Sequence, residues 1–230
     1  MALLLNIDAA TEHASVCLSQ DGVLLALEES HEQKNHGSFL QPAIKRMFSS
    51  INLPLLSVDA IAVTQGPGSY TGLRVGMASA KGLCYALGKP LILLNTLQVM
   101  ASASIKEAIN KKQHTTTALF CPMIDARRME VFTAIYDCLL HEILPPSAMI
   151  LSEESFATQL NSHSIIFSGN GHAKLKDVLH HPNAQYMNNQ YNAVDMIVLA
   201  EQMVQFKQFT SLAYSEPSYL KEFYGPLPKH

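Results

Sequence analysis

A short strand-like segment, Leu5-Asn-Ile-Asp-Ala9, returns as Pro122-Met-Ile-Asp-Ala126, and its two aspartates, Asp8 and Asp125, stand 117 positions apart in a chain of 230. No other feature constrains the fold as much, because a unit of half the chain is a whole supersecondary assembly. Each copy has an apolar run leading into the aspartate and an alternating polar and apolar run after it, the pattern of a β-hairpin. In the first copy, residues 14–19 and 23–28 flank Gln20-Asp21-Gly22, and Asp-Gly supplies the positive φ values of a tight turn. A hairpin-plus-helices unit used twice predicts two related α/β lobes. The expected boundaries are 1–112 and 113–214, followed by an extended tail, 215–230, that carries Pro217, Pro226 and Pro228.

The periodicities between the copies fit this plan. Antiparallel strands are expected over 3–8, 14–19 and 23–28. From His36 the spacing changes, and Phe39, Leu40, Ile44, Met47 and Phe48 fall on one helical face. A strand over 59–64 then runs into Gln65-Gly-Pro-Gly-Ser69, and a helix over 70–87 is stopped by Gly88-Lys-Pro90. A strand over 91–94 and a helix over 97–110 complete the first half. The second half predicts strands over 118–124, 130–137, 139–144 and 164–167, and helices over 153–160, 172–179 and 193–209.

Composition narrows the function classes. A 48% hydrophobic share supports a packed core, and 16 Lys+Arg against 19 Asp+Glu leave no global basic field to attract nucleic acid. The apolar N-terminus lacks a basic region and is interrupted at Asp8, and no apolar run approaches the roughly 20 residues that span a bilayer. Cys17, Cys84, Cys121 and Cys138 lie far apart without a CxxC pair, as reduced buried thiols do. These features point to a soluble, cytoplasmic protein without a membrane partner.

Gly66-Pro-Gly-Ser-Tyr-Thr-Gly72-Leu-Arg-Val-Gly76 is the most informative segment. A glycine-rich loop before a helix can cradle a phosphate, yet no GK[ST] follows, and the G-x-G-x-x-G spacing fails at Thr71. In the helix itself Gly72, Gly76, Ala80 and Cys84 recur every four residues. Interior glycines cost on the order of 1 kcal/mol each against alanine, so a close contact is expected, either with the chain's own sheet or with a partner helix. His31-Glu-Gln-Lys-Asn-His36 is one residue too long for HExxH, and no other helical histidine pair suggests a metal site. Asp8 and Asp125 are candidate carboxylates for Mg²⁺ or a water nucleophile, or simply ligands of backbone N–H groups in their own turns. No local Ser-His-Asp or Cys-His arrangement can be assembled.

Taken together, Leu5-Asn-Ile-Asp-Ala-Ala-Thr11-Glu12, Thr64-Gln-Gly-Pro-Gly-Ser-Tyr-Thr-Gly-Leu-Arg-Val-Gly76, Ile124-Asp-Ala-Arg127, Met129-Glu-Val-Phe132, Gly169-Asn-Gly171 and Glu216-Pro-Ser-Tyr-Leu220 resemble the TsaB (YeaZ) family. The resemblance covers essentially the whole chain and implies an actin/sugar-kinase/Hsp70-like fold of two ribonuclease-H-like lobes. It also implies a non-catalytic subunit that supports a TsaD-like catalytic subunit, with a TsaE-like ATPase as third member. Together they would form N6-threonylcarbamoyladenosine at adenosine 37 of ANN-decoding tRNAs. This chain would then meet tRNA only indirectly and need no cofactor of its own, with a nucleotide at the partner interface as an open question. TsaD carries an HxxxH metal pair where this chain has Thr96 and Met100, which cannot replace imidazole. The family's partner surface maps onto the first two helices: His36, Phe39, Leu40, Ile44, Gly72, Leu73, Gly76, Met77 and Ala80. The same surface would form homodimers when the partner is absent. One departure is Gly37-Ser38, where many members have Ser-Glu. The rival reading is an actin-fold ATPase or metal-dependent hydrolase acting alone, its nucleotide cleft formed by Asp8, Thr11, Asp125, Gly169 and Gly171.

Overall fold

The computed structural model describes residues 2–32, 36–113 and 115–221. β1 (Leu3–Asp8), β2 (Ala14–Gln20) and β3 (Val23–Ser30) form an antiparallel meander. Asp21 (φ 51°) and Gly22 (φ 78°) make its tight turn, as expected from the Asp-Gly pair. α1 (His36–Ser50) leads to β4 (Ala60–Gly66), and α2 (Tyr70–Leu87) to β5 (Leu91–Asn95), so that the sheet order is β3-β2-β1-β4-β5. After α3 (Thr96–Asn110) come β6 (Leu119–Asp125), β7 (Glu130–Tyr136), β8 (Glu142–Ile150), α4 (Ala157–Leu160), β9 (Ile165–Ser168), α5 (His172–Val178) and β10 (Ala184–Met187). Their sheet reads β8-β7-β6-β9-β10, the order of the first sheet repeated. The five-residue repeat is therefore the visible part of a duplicated topology, and the fold is the expected α/β pair of ribonuclease-H-like lobes.

Local chemistry sets the ends of α2. The Ser69 hydroxyl accepts the Gly72 N–H at its start, and Gly88 at φ 65° supplies the left-handed cap at its end. α1 and α2 cover one face of the first sheet, where Leu5, Ile7, Leu40, Ile44, Met47, Val63 and Met77 pack together. The other face is covered by the 3-10 turn Ala193–Met196 and α6 (Ile197–Gln205), which arrive from the far end of the chain. α3 in turn packs Leu97, Met100, Ala101 and Ile105 against Phe120, Ala134 and Ile166 of the second sheet. The lobes thus exchange their closing helices. A boundary at 112/113 separates the sheets but not the cores.

Several element ends differ from expectation. The strand expected over 139–144 starts later, because the Asp137 carboxylate accepts the N–H groups of Leu139 and His141 and folds a turn there. It then runs on through Pro145 and Pro146, which an edge strand tolerates because its outer N–H groups need no ladder partner. The helix expected over 153–160 is only Ala157–Leu160, since Phe156 adopts φ 63°. The last helix stops at Gln205, and the four-residue β10 forms where the sequence pattern predicts no strand. Cys17, Cys84 and Cys121 are buried free thiols, and burial pushes Cys17 and Cys121 up to about 12. No helix among the described residues is long and apolar enough to cross a membrane. Pro226, Pro228 and most of the stretch between His31 and His36 lie outside the described residues.

Candidate functional site

The duplicated aspartates end the equivalent central strands of the two sheets and make the same local turn. Asp8 Oδ1 accepts the N–H of Ala10 at 3.2 Å, and Asp125 Oδ1 accepts that of Arg127 at 2.6 Å, two residues on in each case. Their surroundings then diverge. Asp8 is 2% exposed and also accepts the Thr64 hydroxyl at 2.7 Å. Burial pushes its carboxyl up to about 6, against the lowering effect of these hydrogen bonds. For Asp125 burial also works upward, but Lys174 Nζ at 2.6 Å and the Arg127 N–H outweigh it and hold the carboxyl below the usual range. Lys174→Met is therefore expected to move the Asp125 titration, followed by carboxyl-carbon NMR, back up toward the ordinary value.

Between the lobes lies a cleft of about 920 Å³ whose walls include Thr11, Ser69, Thr71, Asp125, Arg127 and Asn170. A smaller cavity of about 510 Å³ adjoins it, lined by His13, Met100, Gly169, His172, Asn189 and Tyr191 among others. Of the five residues proposed for a nucleotide cleft, Thr11, Asp125 and Gly169 reach these walls, while Asp8 and Gly171 do not. The two glycines fit their loop tightly onto β6. A Cβ on Gly169 would stand 2.3 Å from Met123 O, and one on Gly171 would stand 2.9 Å from Val131 Cγ1. Among the described residues no group of three His, Cys, Asp or Glu could hold a metal ion. The cleft also gathers cations that the sequence motifs do not mark as site residues: Arg127 and Arg128 in the β6–β7 turn, and Lys174 beside Asp125. The one local signal for Lys174 was its place in the helix after the Gly169–Gly171 loop.

The glycine-rich loop and the small-residue stripe are used internally. A Cβ on Gly68 would stand 2.1 Å from Ala10 O, and one on Gly72 would stand 2.1 Å from Ala9 O. Gly76 lies over Ala9 and Val63, and Ala80 and Cys84 are buried behind it. The stripe lets α2 press onto the end of β1 and onto β4. This corrects the expectation that it faces a partner helix: Leu40, Ile44, Gly72, Leu73, Gly76, Met77 and Ala80 all lie in the first lobe's own core. His36 is buried too, its Nε2 2.9 Å from Thr11 O. Of the nine, only Phe39 reaches the surface, half-buried. The opposite face of α2 carries Thr71, Arg74, Ala78, Gly82 and Tyr85, the last 84% exposed. A groove of about 1050 Å³ runs along α1 beside Gln41, Lys45, Phe48 and Leu55. Two phases of four-residue spacing run along α2, and the one shared with Leu73 and Met77 is the core phase.

The family model for TsaD, tRNA N6-adenosine threonylcarbamoyltransferase, matches residues 27–223. The "tRNA threonylcarbamoyladenosine biosynthesis protein TsaB" of Bacillus subtilis is 26% identical over 72% of this chain and 70% of its own length. The proteins of that name from Haemophilus influenzae and Escherichia coli are each 35% identical. The alignments cover 56% and 58% of this chain, and it spans about half of those relatives, 51% and 54%. The solved structure of YeaZ from Pseudomonas aeruginosa is similar with a TM-score of 0.79 at 25% identity, covering 96% of this chain and all of that one. A further Pseudomonas aeruginosa structure, of an uncharacterized protein with similarity to peptidase YeaZ, has a TM-score of 0.82 at 23% identity and the same coverage.

Proposed function

The chain belongs to the TsaB (YeaZ) family, within the group that the TsaD model describes, and from that membership we propose that it is a non-catalytic subunit required for N6-threonylcarbamoyladenosine formation in tRNA. It binds and supports a TsaD-like catalytic subunit, with a TsaE-like ATPase as third member, and meets tRNA only through them. The observation that carries this reading is the pair Thr96 and Met100. By the family resemblance they correspond to the histidine pair of the catalytic paralogue, and both are buried in α3, at 0% and 4% exposure. A hydroxyl and a thioether there leave no imidazole to ligate a metal, while the rest of the duplicated fold is kept.

The docking face is the outer side of α2 together with α1. Ala78 and Gly82 permit close approach, and Tyr85 and Phe39 supply apolar area; a Cβ on Gly82 would meet nothing within 4 Å. The same face serves a homodimer when the catalytic subunit is absent. Ala78→Arg is expected to weaken copurification with the catalytic subunit by about fivefold or more, since a central contact is typically worth over about 1 kcal/mol, and to leave the unfolding midpoint in place. Unchanged affinity would overturn the assignment of this face. Gly76→Arg and Met77→Asp, both in the core, would report on folding instead. The cations around Asp125 favour the rival nucleotide-cleft reading. Calorimetry with Mg-ATP is expected to show no turnover by this chain alone, and turnover would decide for the rival.

A further inference from the structure

After α6 the chain returns to the first lobe. Thr210 N–H donates to Leu91 O at 2.9 Å, and a turn closes where Ser215 N–H and Oγ both donate to Ser211 O. Ser215 is buried and its carbonyl accepts Lys81 Nζ at 2.8 Å, which makes it an anchor. From there the chain crosses the N-terminal end of α2. Ser218 N–H donates to Gln65 O at 2.7 Å, and Ser218 O fills the space where a side chain on Gly66 would stand. The Tyr219 ring lies 5.1 Å from that of Tyr70, Arg74 sits 4.0 Å from the Tyr70 ring centre, and Arg74 Nε donates to the Tyr219 hydroxyl at 3.0 Å. Two residues further on, Lys221 pairs with Glu130 at the start of β7, in the other lobe, and lines the larger cavity of the cleft.

None of residues 216–221 is buried. Among the described residues this segment is held by one main-chain hydrogen bond, the ring contact of Tyr219 with Tyr70, the Arg74–Tyr219 hydrogen bond and one ion pair, each of them weak at a surface. Core packing does not fix it, yet it touches both lobes across the mouth of the cleft. We propose that residues 216–221 are a latch: closed in this conformation, anchored at Ser215, and released as a unit to uncover Gln65, Tyr70 and Arg74 and to open the cleft. The two grips lie on different lobes and hold one short segment, so loosening either loosens both. The latch borders the docking face proposed above, since Arg74 lies on the outer side of α2, but it needs no partner to operate.

Hydrogen exchange on the full chain tests it. Lys221→Glu, which turns the ion pair with Glu130 into a like-charge pair, is expected to speed exchange at Ser218 and across residues 65–74 by about tenfold, and adding Glu130→Lys to bring the rates back toward wild type. Tyr219→Ala is expected to speed exchange in the turn at 126–130 of the opposite lobe. About 1 M salt, with a Debye length of about 3 Å, should move the wild type toward the Lys221→Glu rates. Unchanged rates at 218 and 65–74 in Lys221→Glu, no restoration by the swapped pair, or a Tyr219→Ala effect confined to the first lobe would each overturn the latch.

Discussion

Gly72→Ala is expected to lower stability by about 3 kcal/mol, and Gly82→Ala, ten residues on in the same helix, to raise it by about 1 kcal/mol. The difference lies in what each methyl group would meet. At Gly72 it would stand 2.1 Å from Ala9 O, a main-chain atom at the end of the central strand, with His36 Cδ2 at 3.2 Å. Backbone cannot rotate away as a side chain does, so the start of α2 must lift off β1. At Gly82 there is no atom within 4 Å, and only the helix propensity of alanine counts. Gly76→Ala falls between, since its neighbours at 3.5 Å are at ordinary contact distance. Urea unfolding of the three variants measures the series. Full stability in Gly72→Ala would mean that α2 does not rest on β1.

Asp8→Asn is expected to stabilise the protein at pH 7.5 by up to about 3 kcal/mol and to change nothing near pH 4. The sign follows from burial. The carboxyl is held at about 6 in the folded chain, against 3.8 when unfolded. Between those values the folded state keeps a proton that the unfolded state has released, so stability falls as pH rises through that window. Above about 6 the full cost is present. Asparagine keeps an oxygen to accept the Thr64 hydroxyl and the Ala10 N–H and carries no charge. Denaturant midpoints of both proteins from pH 4 to pH 8 should diverge as pH rises. A variant less stable than wild type at every pH would contradict the assigned burial cost. Asp125 behaves oppositely: its lowered carboxyl contributes stability at neutral pH that is lost as pH falls through its folded value.

Local signals carried the elements they govern. Asp21-Gly22 marked the hairpin and Gly88 the end of α2, because turn and cap chemistry depends on a few neighbouring residues. The match at Asp8 and Asp125 foretold the shared sheet order. What stayed hidden depends on distant partners. Nothing local says that α6 crosses to the first sheet or that Lys174 meets Asp125 across 49 residues. The stripe on α2 was legible as a demand for close approach, yet spacing alone does not say to what, and the end of β1 is the answer. The prolines of β8 hid how far that strand runs, because edge position is a property of the sheet, not of the segment.

The role proposed above is that of a chain supporting a transfer reaction it does not itself perform. Its most direct measurement is reconstitution from purified components, with N6-threonylcarbamoyladenosine quantified in tRNA nucleosides. The modification is expected when the catalytic subunit and this chain are both present, and expected to be lost when this chain is omitted or replaced by Ala78→Arg. Undiminished modification without this chain, or modification by this chain without the catalytic subunit, would contradict it.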